Sequence, residues 1–371
     1  MFKRSNGIRG FIKNMDFWLA VLTITAAVFG IVMISSAGGE DGRRYVIVQS
    51  AAMIVGIGGI CLLMFLDYEY LARISLYLSI VGLVLLVLVL IPGIGKVHNG
   101  ARSWFEFGPI NLQPAEVAKI IFIIAFAKRL ADCGDRINEP KNILGLLLFA
   151  LIPMALILIQ PDFGTGSVFA VVLAAMLFAA GISIKYIIAG IAGIAAMCPI
   201  MWFFVLQDYQ KSRIITVFNP ESDPSGAGYH VLQSEQAVGS GRIFGSGLYK
   251  GSSQINNILP ERHTDFIYSV VCEELGIIGA VLVIVLMCAI IIRCLYIGMN
   301  ARNDLGRYMC VGVAAMLAFQ TFENIGMCIG IFPVTGITLP FFSYGGSSLL
   351  TTMLAIGIVL SVKYKSRMIN F

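Results

Sequence analysis

The chain has 371 residues, 58% of them hydrophobic and 13% charged, with a net charge of +5. A soluble protein carries about 25% charge, so a soluble globular enzyme is excluded, and the mean hydropathy of +0.87 points to a polytopic membrane protein. The positive balance is spread along the chain, unlike a nucleic-acid footprint, and the eight cysteines stand singly, without the paired spacing of a metal site.

Apolar runs recur from end to end, and about 20 apolar residues cross the ~30 Å hydrocarbon core as a helix. About ten spans are predicted, over roughly 17–37, 45–66, 72–92, 114–131, 142–159, 163–181, 185–206, 266–292, 308–331 and 346–363. All are read as helices, because backbone polar groups in lipid must be satisfied within the segment. The first run, near Phe17, has the length of an anchor rather than of a signal-peptide core. Lys and Arg gather between alternate spans: Lys3, Arg4, Arg9 and Lys13; Lys128, Arg129, Arg136 and Lys141; Arg293, Arg302 and Arg307; Lys363, Lys365 and Arg367. The opposite side holds fewer, mostly in one long loop that weighs less in the positive-inside rule. Both termini are therefore expected to be cytoplasmic.

Three outer segments are unusual. The 93–113 stretch is too polar to span yet carries Trp104, Phe105 and Phe107, which suits the membrane interface. The 207–265 loop, between the seventh and eighth helices, is the only sizeable extramembrane piece. Pro and Gly mark its turns, and Tyr229 to Val238 could form a short amphipathic helix. The segment from 332, FPVTGITLPFFSYGGSS, is apolar but broken by Pro333, Gly336, Pro340, Gly345 and Gly346. Irregular backbone at membrane depth is tolerated when buried in protein or lining a cavity, so the segment is read as re-entrant, before the tenth helix. No internal repeat is visible.

Ionisable groups crowd the mouth of the eighth helix: Glu261, Arg262, His263 and Asp265 in LPERHTDFIYSVVCEELG. One reading makes Thr264 or Asp265 a helix cap. The other makes Asp265 a catalytic carboxylate, since Ser269, Cys272 and Gly276 on its helix face suit a cavity or close packing better than lipid. Glu116 and Lys119, three residues apart after Pro114, share one helix side. They form either a structural ion pair or a means of orienting a polar substrate. Arg102 suits a phosphate, and Trp104 a sugar face or a lipid chain. Asp162, after Pro161, reads as a cap or a polar contact. Of Glu273 and Glu274, adjacent in the eighth helix, at least one must be structural. The glycines of GSGRIFGSGLYKG lack the spacing of a phosphate loop.

The blocks NGARSWF, LQPAEVAK, QPDFGTG, NPESDPSGAGYHVLQS, LPERHTDFIYSVVCEELG and NIGMCIGIFPVTGITLPFFSYGGSS stand in the order found in the SEDS family (shape, elongation, division and sporulation). The resemblance covers most of the chain and implies a single transmembrane domain over 1–371. Its short N-terminus, GAGYH and the spacing from Gln254 to LPERHTDF are closer to the RodA branch, which serves elongation, than to the FtsW branch. Ser103 stands where the family often has Arg, and Arg242 where Gly is frequent.

The resemblance implies a peptidoglycan glycosyltransferase that polymerises lipid II outside the bacterial cytoplasmic membrane, beside a class B penicillin-binding protein and other elongation machinery. The family's essential acid falls on Asp265, its tryptophan on Trp104 and its Glu/Lys pair on Glu116 and Lys119. The expected chemistry inverts the anomeric carbon, with Asp265 as base and Arg102, Lys119 or Arg213 meeting the pyrophosphate. Asp162, His263 and Ser343 complete the expected substrate contacts. A divalent cation, Mg or Mn, held by Asp265 or Glu261 is compatible with the family. The competing readings are a lipid II flippase and a non-catalytic scaffold for cell-wall synthesis. The orientation is open to a direct check. An impermeant thiol reagent added outside intact cells is expected to leave Cys133 unlabelled, and labelling there would reverse the topology.

Overall fold

The structure is a computed structural model that describes residues 15–98, 101–107, 110–206, 208–223, 226–251 and 259–367. Each expected span coincides with a helix. In order these are α1 (Phe17–Ala37), α2 (Gly42–Phe65), α3 (Tyr68–Arg73) and α4 (Ser75–Leu88). After a small sheet come α5 (Pro114–Cys133), α6 (Pro140–Ile159), α7 (Phe163–Ala179) and α8 (Ile184–Ile200). The 207–265 loop contributes α9 (Asp208–Phe218) and α10 (Ala227–Ser240), and α11 (Ile267–Met299), α12 (Asp304–Cys328) and α13 (Gly346–Arg367) close the bundle. Among the described residues, seven helices are long and apolar enough to cross a membrane. The other three expected spans are helical but weaker by that measure. α4 and α7 are shorter, and α5 carries Glu116, Lys119, Lys128, Arg129 and Asp132.

Local chemistry sets the boundaries. Asp16 caps α1, accepting from the Leu19 amide at 3.0 Å, and receives Arg293 of α11 through two bonds of 2.9 and 2.8 Å. Pro occupies the first turn of α5 and of α6, where its missing N–H costs nothing. Lipid tails are as apolar as leucine, so helices associate through close packing of small residues. α2 and α13 follow that rule: Gly56 faces Met353, Gly59 faces Leu354 and Gly357 faces Leu63. α11 packs on α12, and α12 on α7 and α5.

The 93–113 segment folds as an antiparallel sheet of β1 (Lys96–His98), β2 (Ala101–Phe107) and β3 (Ile110–Leu112), with β2 central. Lys96 opposes Trp104, and Phe105 opposes Leu112. Ser103 and Phe105 are buried, whereas Arg102, Trp104 and Glu106 are less so; this alternation is the strand signal that an interface reading passes over. The helix expected at Tyr229 to Val238 lies within α10. α9 is an additional helix that the sequence reading did not expect.

Among the described residues, two stretches of irregular backbone lie inside the bundle. The first is a break in α11, where Gly276 takes φ 66° and ψ −160°. The glycine-rich run after α10 lies against this break. The amides of Ser246 and Gly247 donate to the carbonyls of Glu273 and Glu274 at 3.0 and 2.9 Å, and the Ile277 amide donates to Arg242 O at 2.9 Å. A Cβ at Gly241, Gly245 or Gly276 would collide with the opposing backbone. The glycines are thus a device for backbone contact. The second stretch is 329–345, the expected re-entrant segment. It is non-helical, and Ile337, Leu339, Phe341 and Phe342 on it are buried. Gln49 of α2 donates to Ser343 O at 3.0 Å and accepts from the Gly345 amide at 3.1 Å. Asn324 of α12 donates to Ile337 O at 2.7 Å. Buried side chains thus supply the hydrogen bonds that this backbone cannot make with itself.

Gly276→Ala tests the inserted loop. Strain at that φ and the clash with Ile243 are expected to cost about 1–3 kcal/mol or more, read as a lower unfolding midpoint in detergent. Gly58→Ala, where nothing lies within 4 Å of an added Cβ, is expected to be neutral or to stabilise by up to about 1 kcal/mol.

Candidate functional site

The starts of α5, α7 and α11 meet the sheet, the 207–265 loop and the irregular 329–345 segment around a cavity of about 910 Å³. Trp104, Glu116, Asp162, Arg213, His263 and Asp265 line it, as does Glu261. Residues far apart in sequence, and singled out on separate grounds, therefore share one chamber.

Asp265 does not cap α11. The cap position is Phe266, with no side-chain cap bond, and Thr264 Oγ1 turns back to Glu261 Oε2 at 3.1 Å. The turn is fixed by its backbone instead. The amides of Thr264, Asp265 and Phe266 all point to Glu261 O, at 3.2, 3.0 and 3.3 Å. The Asp265 carbonyl accepts from Asn324 at 2.8 Å, so one buried amide ties the acid to Ile337 of the irregular segment. Gly336 leaves room beside the carboxylate; a Cβ there would sit 3.6 Å from Oδ2. Burial, reinforced by the charge of Glu261, pushes the Asp265 carboxyl up to about 7, against the pull of the Thr264 hydrogen bond and of Arg213. A group poised there can hold or release a proton near neutral pH.

His263 stacks on Tyr45 with ring centroids 4.5 Å apart and planes within 5°, and its carbonyl receives the Tyr344 amide at 2.8 Å. Burial holds its imidazole below the usual value, which keeps it neutral near pH 7. Arg262 turns away and donates to Ala37 O at 2.6 Å, joining the turn to the end of α1. Ser269, on the face shared with Asp265, meets Ser234 of α10 at 2.6 Å; that face is closely packed and does not open into the cavity.

Asp162 is a cap. Its Oδ1 accepts the Thr165 amide at 3.0 Å, and its Oδ2 accepts Thr165 Oγ1 at 2.9 Å and Gln113 Nε2 at 3.0 Å. Burial pushes its carboxyl up, while Thr165 and Lys119 pull it down. It also lines the cavity, so both readings of this residue coexist. Glu116 and Lys119 form a buried ion pair at 2.7 Å, with Thr351 Oγ1 donating to the second Glu116 oxygen at 3.1 Å. Glu116 reaches the cavity wall; Lys119 is not among the lining residues. Arg102 and Ser343 are not lining residues either. Ser343 is 3% exposed, and its Oγ accepts the Leu339 amide at 2.8 Å, closing a turn of the irregular segment. Glu274 is fully buried and accepts Ser36 Oγ of α1 at 2.5 Å, the structural part expected of at least one of the adjacent glutamates.

The cavity also holds residues that the sequence reading passed over, including Arg44, Tyr45, Gln113, His230 and Tyr344. His230 carries a lowered pKa from burial, and its Nδ1 has no hydrogen-bond partner among the described residues. Its signal was GYH at the start of a predicted helix. Among the described residues, no group of three His, Cys, Asp or Glu side chains could hold a metal.

This arrangement has relatives. The model of the FtsW/RodA/SpoVE family of cell cycle proteins matches residues 16–368, and the chain belongs to that family. The probable peptidoglycan glycosyltransferase FtsW of Trichlorobacter lovleyi is 38% identical over 359 residues, 95% of this chain and 93% of its own. The peptidoglycan glycosyltransferase MrdB of Escherichia coli K12 is 39% identical over 79% of each chain. The stage V sporulation protein E of Bacillus subtilis is 36% identical over 95% of this chain and 98% of its own. Among solved structures, a chain from a peptidoglycan synthase complex that coordinates polymerization and crosslinking superposes with a TM-score of 0.83 at 32% identity, covering 95% of this chain and 98% of its own. The rod shape determining protein RodA of Thermus thermophilus gives 0.72 at 29%, with the same coverage. The named relatives lie so near one another in identity that FtsW-like and RodA-like are not separated.

The buried pair yields a test. Glu116→Gln alone or Lys119→Met alone is expected to cost about 3–5 kcal/mol by stranding a charge. The double variant should recover much of that loss in a thermal melt.

Proposed function

We propose that the chain polymerises lipid II into glycan strands at the outer face of the cytoplasmic membrane, with Asp265 as the general base. The observation that carries the reading is a carboxyl near pKa 7 in the wall of a chamber it shares with two arginines, Arg44 and Arg213. Membership in a family whose relatives are named peptidoglycan glycosyltransferases makes the chain a glycosyltransferase. In the proposed step a sugar hydroxyl oxygen attacks the anomeric carbon of a second lipid II. The bond from that carbon to the polyprenyl pyrophosphate breaks with inversion, and the hydroxyl proton passes to Asp265. Such a base is worth about 10²–10⁴-fold in rate.

Arg213 and Arg44 line the chamber where the departing pyrophosphate needs positive charge. Lys119 is neutralised by Glu116, so its part is to hold α5 rather than to meet the leaving group. Trp104 offers a sugar-stacking face. Asn324 acts through the backbone and positions Asp265. Mg²⁺ needs only one or two carboxylates beside phosphate oxygens and water, so Asp265 and Glu261 fit such an ion only together with a bound pyrophosphate. An ion bound there would neutralise charge on the leaving group.

The same reading has both termini in the cytoplasm and a class B penicillin-binding protein as partner, in keeping with the synthase complex to which the fold is similar. We assign it to elongation on the GAGYH stretch; the Gln254 spacing lies outside the described residues. Restoration of rod shape in a cell lacking its elongation polymerase, without restoration of division in one lacking its division polymerase, would support that branch.

Purified protein with labelled lipid II tests the base. Asp265→Asn is expected to lower polymerisation by about 10²–10⁴-fold, and parental activity in a folded Asp265→Asn protein would end the assignment. The base works ionised, so the parental rate should rise with pH through about 7 and then level off. The raised pKa also opposes folding in the ionised state. The contribution of the neutral carboxyl is complete below pH 3.8 and lost as pH rises through about 7. Asp265→Asn should therefore melt above the parent at pH 8, with the gap closing toward pH 4.

A further inference from the structure

A second cavity, of about 530 Å³, lies at the far end of α5, between the start of α4, the end of α5 and the start of α6. Glu116 belongs to the first cavity and Lys128 to the second. The helical rise between them is about 18 Å, so the two chambers are separate. The second is lined by four cations, Lys128, Arg129, Arg136 and Lys141, and one acid, Asp132. Asp132 pairs with Lys128, which leaves an excess of positive charge. The Arg129 guanidinium lies over the Phe149 ring, 4.1 Å from its centroid. Lys141 and Asn142, in the first turn of α6, stand in the wall, so the helix dipole adds to the positive field. The remaining wall is apolar, with Leu76, Leu146 and Phe149. It continues into exposed hydrophobic residues on α4 and α6, among them Tyr77, Ile80, Leu144 and Leu148.

We propose that this cavity binds the phosphate group of an anionic membrane lipid, with the acyl chains lying along α4 and α6. A small soluble anion would use the cations alone. The cationic mouth joined to a lipid-facing apolar wall matches a molecule with a charged head and a hydrocarbon tail, and basic pockets between membrane helices are suited to such heads. The site is independent of the polymerase chemistry and of Asp265.

The test uses the full chain, purified and delipidated in detergent, with lipid retention read by native mass spectrometry. The parent is expected to retain phosphatidylglycerol in preference to phosphatidylcholine. Arg136→Gln with Lys141→Gln should weaken phosphatidylglycerol retention by roughly 30-fold, at about 1 kcal/mol per cation, without changing phosphatidylcholine retention. Arg302→Gln with Lys365→Gln, outside the cavity, should leave the preference intact. Single Lys141→Glu provides a second variant, expected to lose the preference while keeping the parental melting temperature. Equal retention of the two lipids by the parent, or equal losses in the cavity and control variants, would overturn the proposal. So would inorganic phosphate raising the melting temperature as much as phosphatidylglycerol does, since the site would then be one for a free anion.

Discussion

Backbone inside a bilayer must find its hydrogen bonds within the protein, and this constraint places the turn that carries Asp265. The chain departs from helix at two places inside the bundle, and each departure is repaired by specific groups. At the α11 break the repair is another backbone, brought close by glycines at 241, 245 and 276. Across 329–345 it is the buried amides of Gln49 and Asn324. Asn324 also holds the Asp265 carbonyl. The acid is thus anchored to the element that forms the adjoining wall of its chamber. Tertiary amides, rather than a helix terminus, fix where the carboxylate stands.

The same constraint sorts the ionisable groups. Glu116 is matched by Lys119, Asp16 by Arg293 and Asp162 by the amide and hydroxyl of Thr165. Each arrangement offsets the cost of withdrawing charge from water. Asp265 is balanced differently. Its strongest electrostatic neighbour among the acids is Glu261, which opposes ionisation. A structural role would favour a partnered carboxylate, and a base that must change protonation state favours an unstable one. The raised pKa is therefore stability given up at the place where the proposed reaction needs a proton acceptor.

Long apolar periodicity made the helices legible, and it is the strongest local signal a sequence carries. The sheet was less legible because Trp104, Phe105 and Phe107 match an interfacial segment as well as a strand; the alternation of Ser103 and Phe105 with their neighbours decides between them only once a partner strand is known. The cluster at 261–265 was visible as chemistry. Its geometry was not, because Asn324 lies 59 positions away from Asp265. Lys119 and Ser343 were read from their residue types, and those types do not say whether a hydroxyl or ammonium points to a cavity or closes a local bond. The glycine-rich run was legible as unusual but lacked phosphate-loop spacing. Its meaning depends on a break in a helix that follows it in sequence.

α5 joins these themes. Its first turn carries the Glu116–Lys119 pair beside the large chamber, and its last turns carry Lys128, Arg129 and Asp132 beside the smaller one. A helix whose only duty was to cross lipid would not place ionisable groups at both of these levels. The buried pair holds its N-terminal end against Thr351 of α13, while at the other end Arg129 is braced on Phe149 of α6. α5 thus scores too polar to count as a membrane span by apolar composition, yet it is among the most buried helices of the bundle. Glu116 and Lys119 are tolerated because protein, not lipid, surrounds them, whereas Lys128, Arg129 and Asp132 lie at the more open far end of the helix. One helix thus borders a cavity at each end.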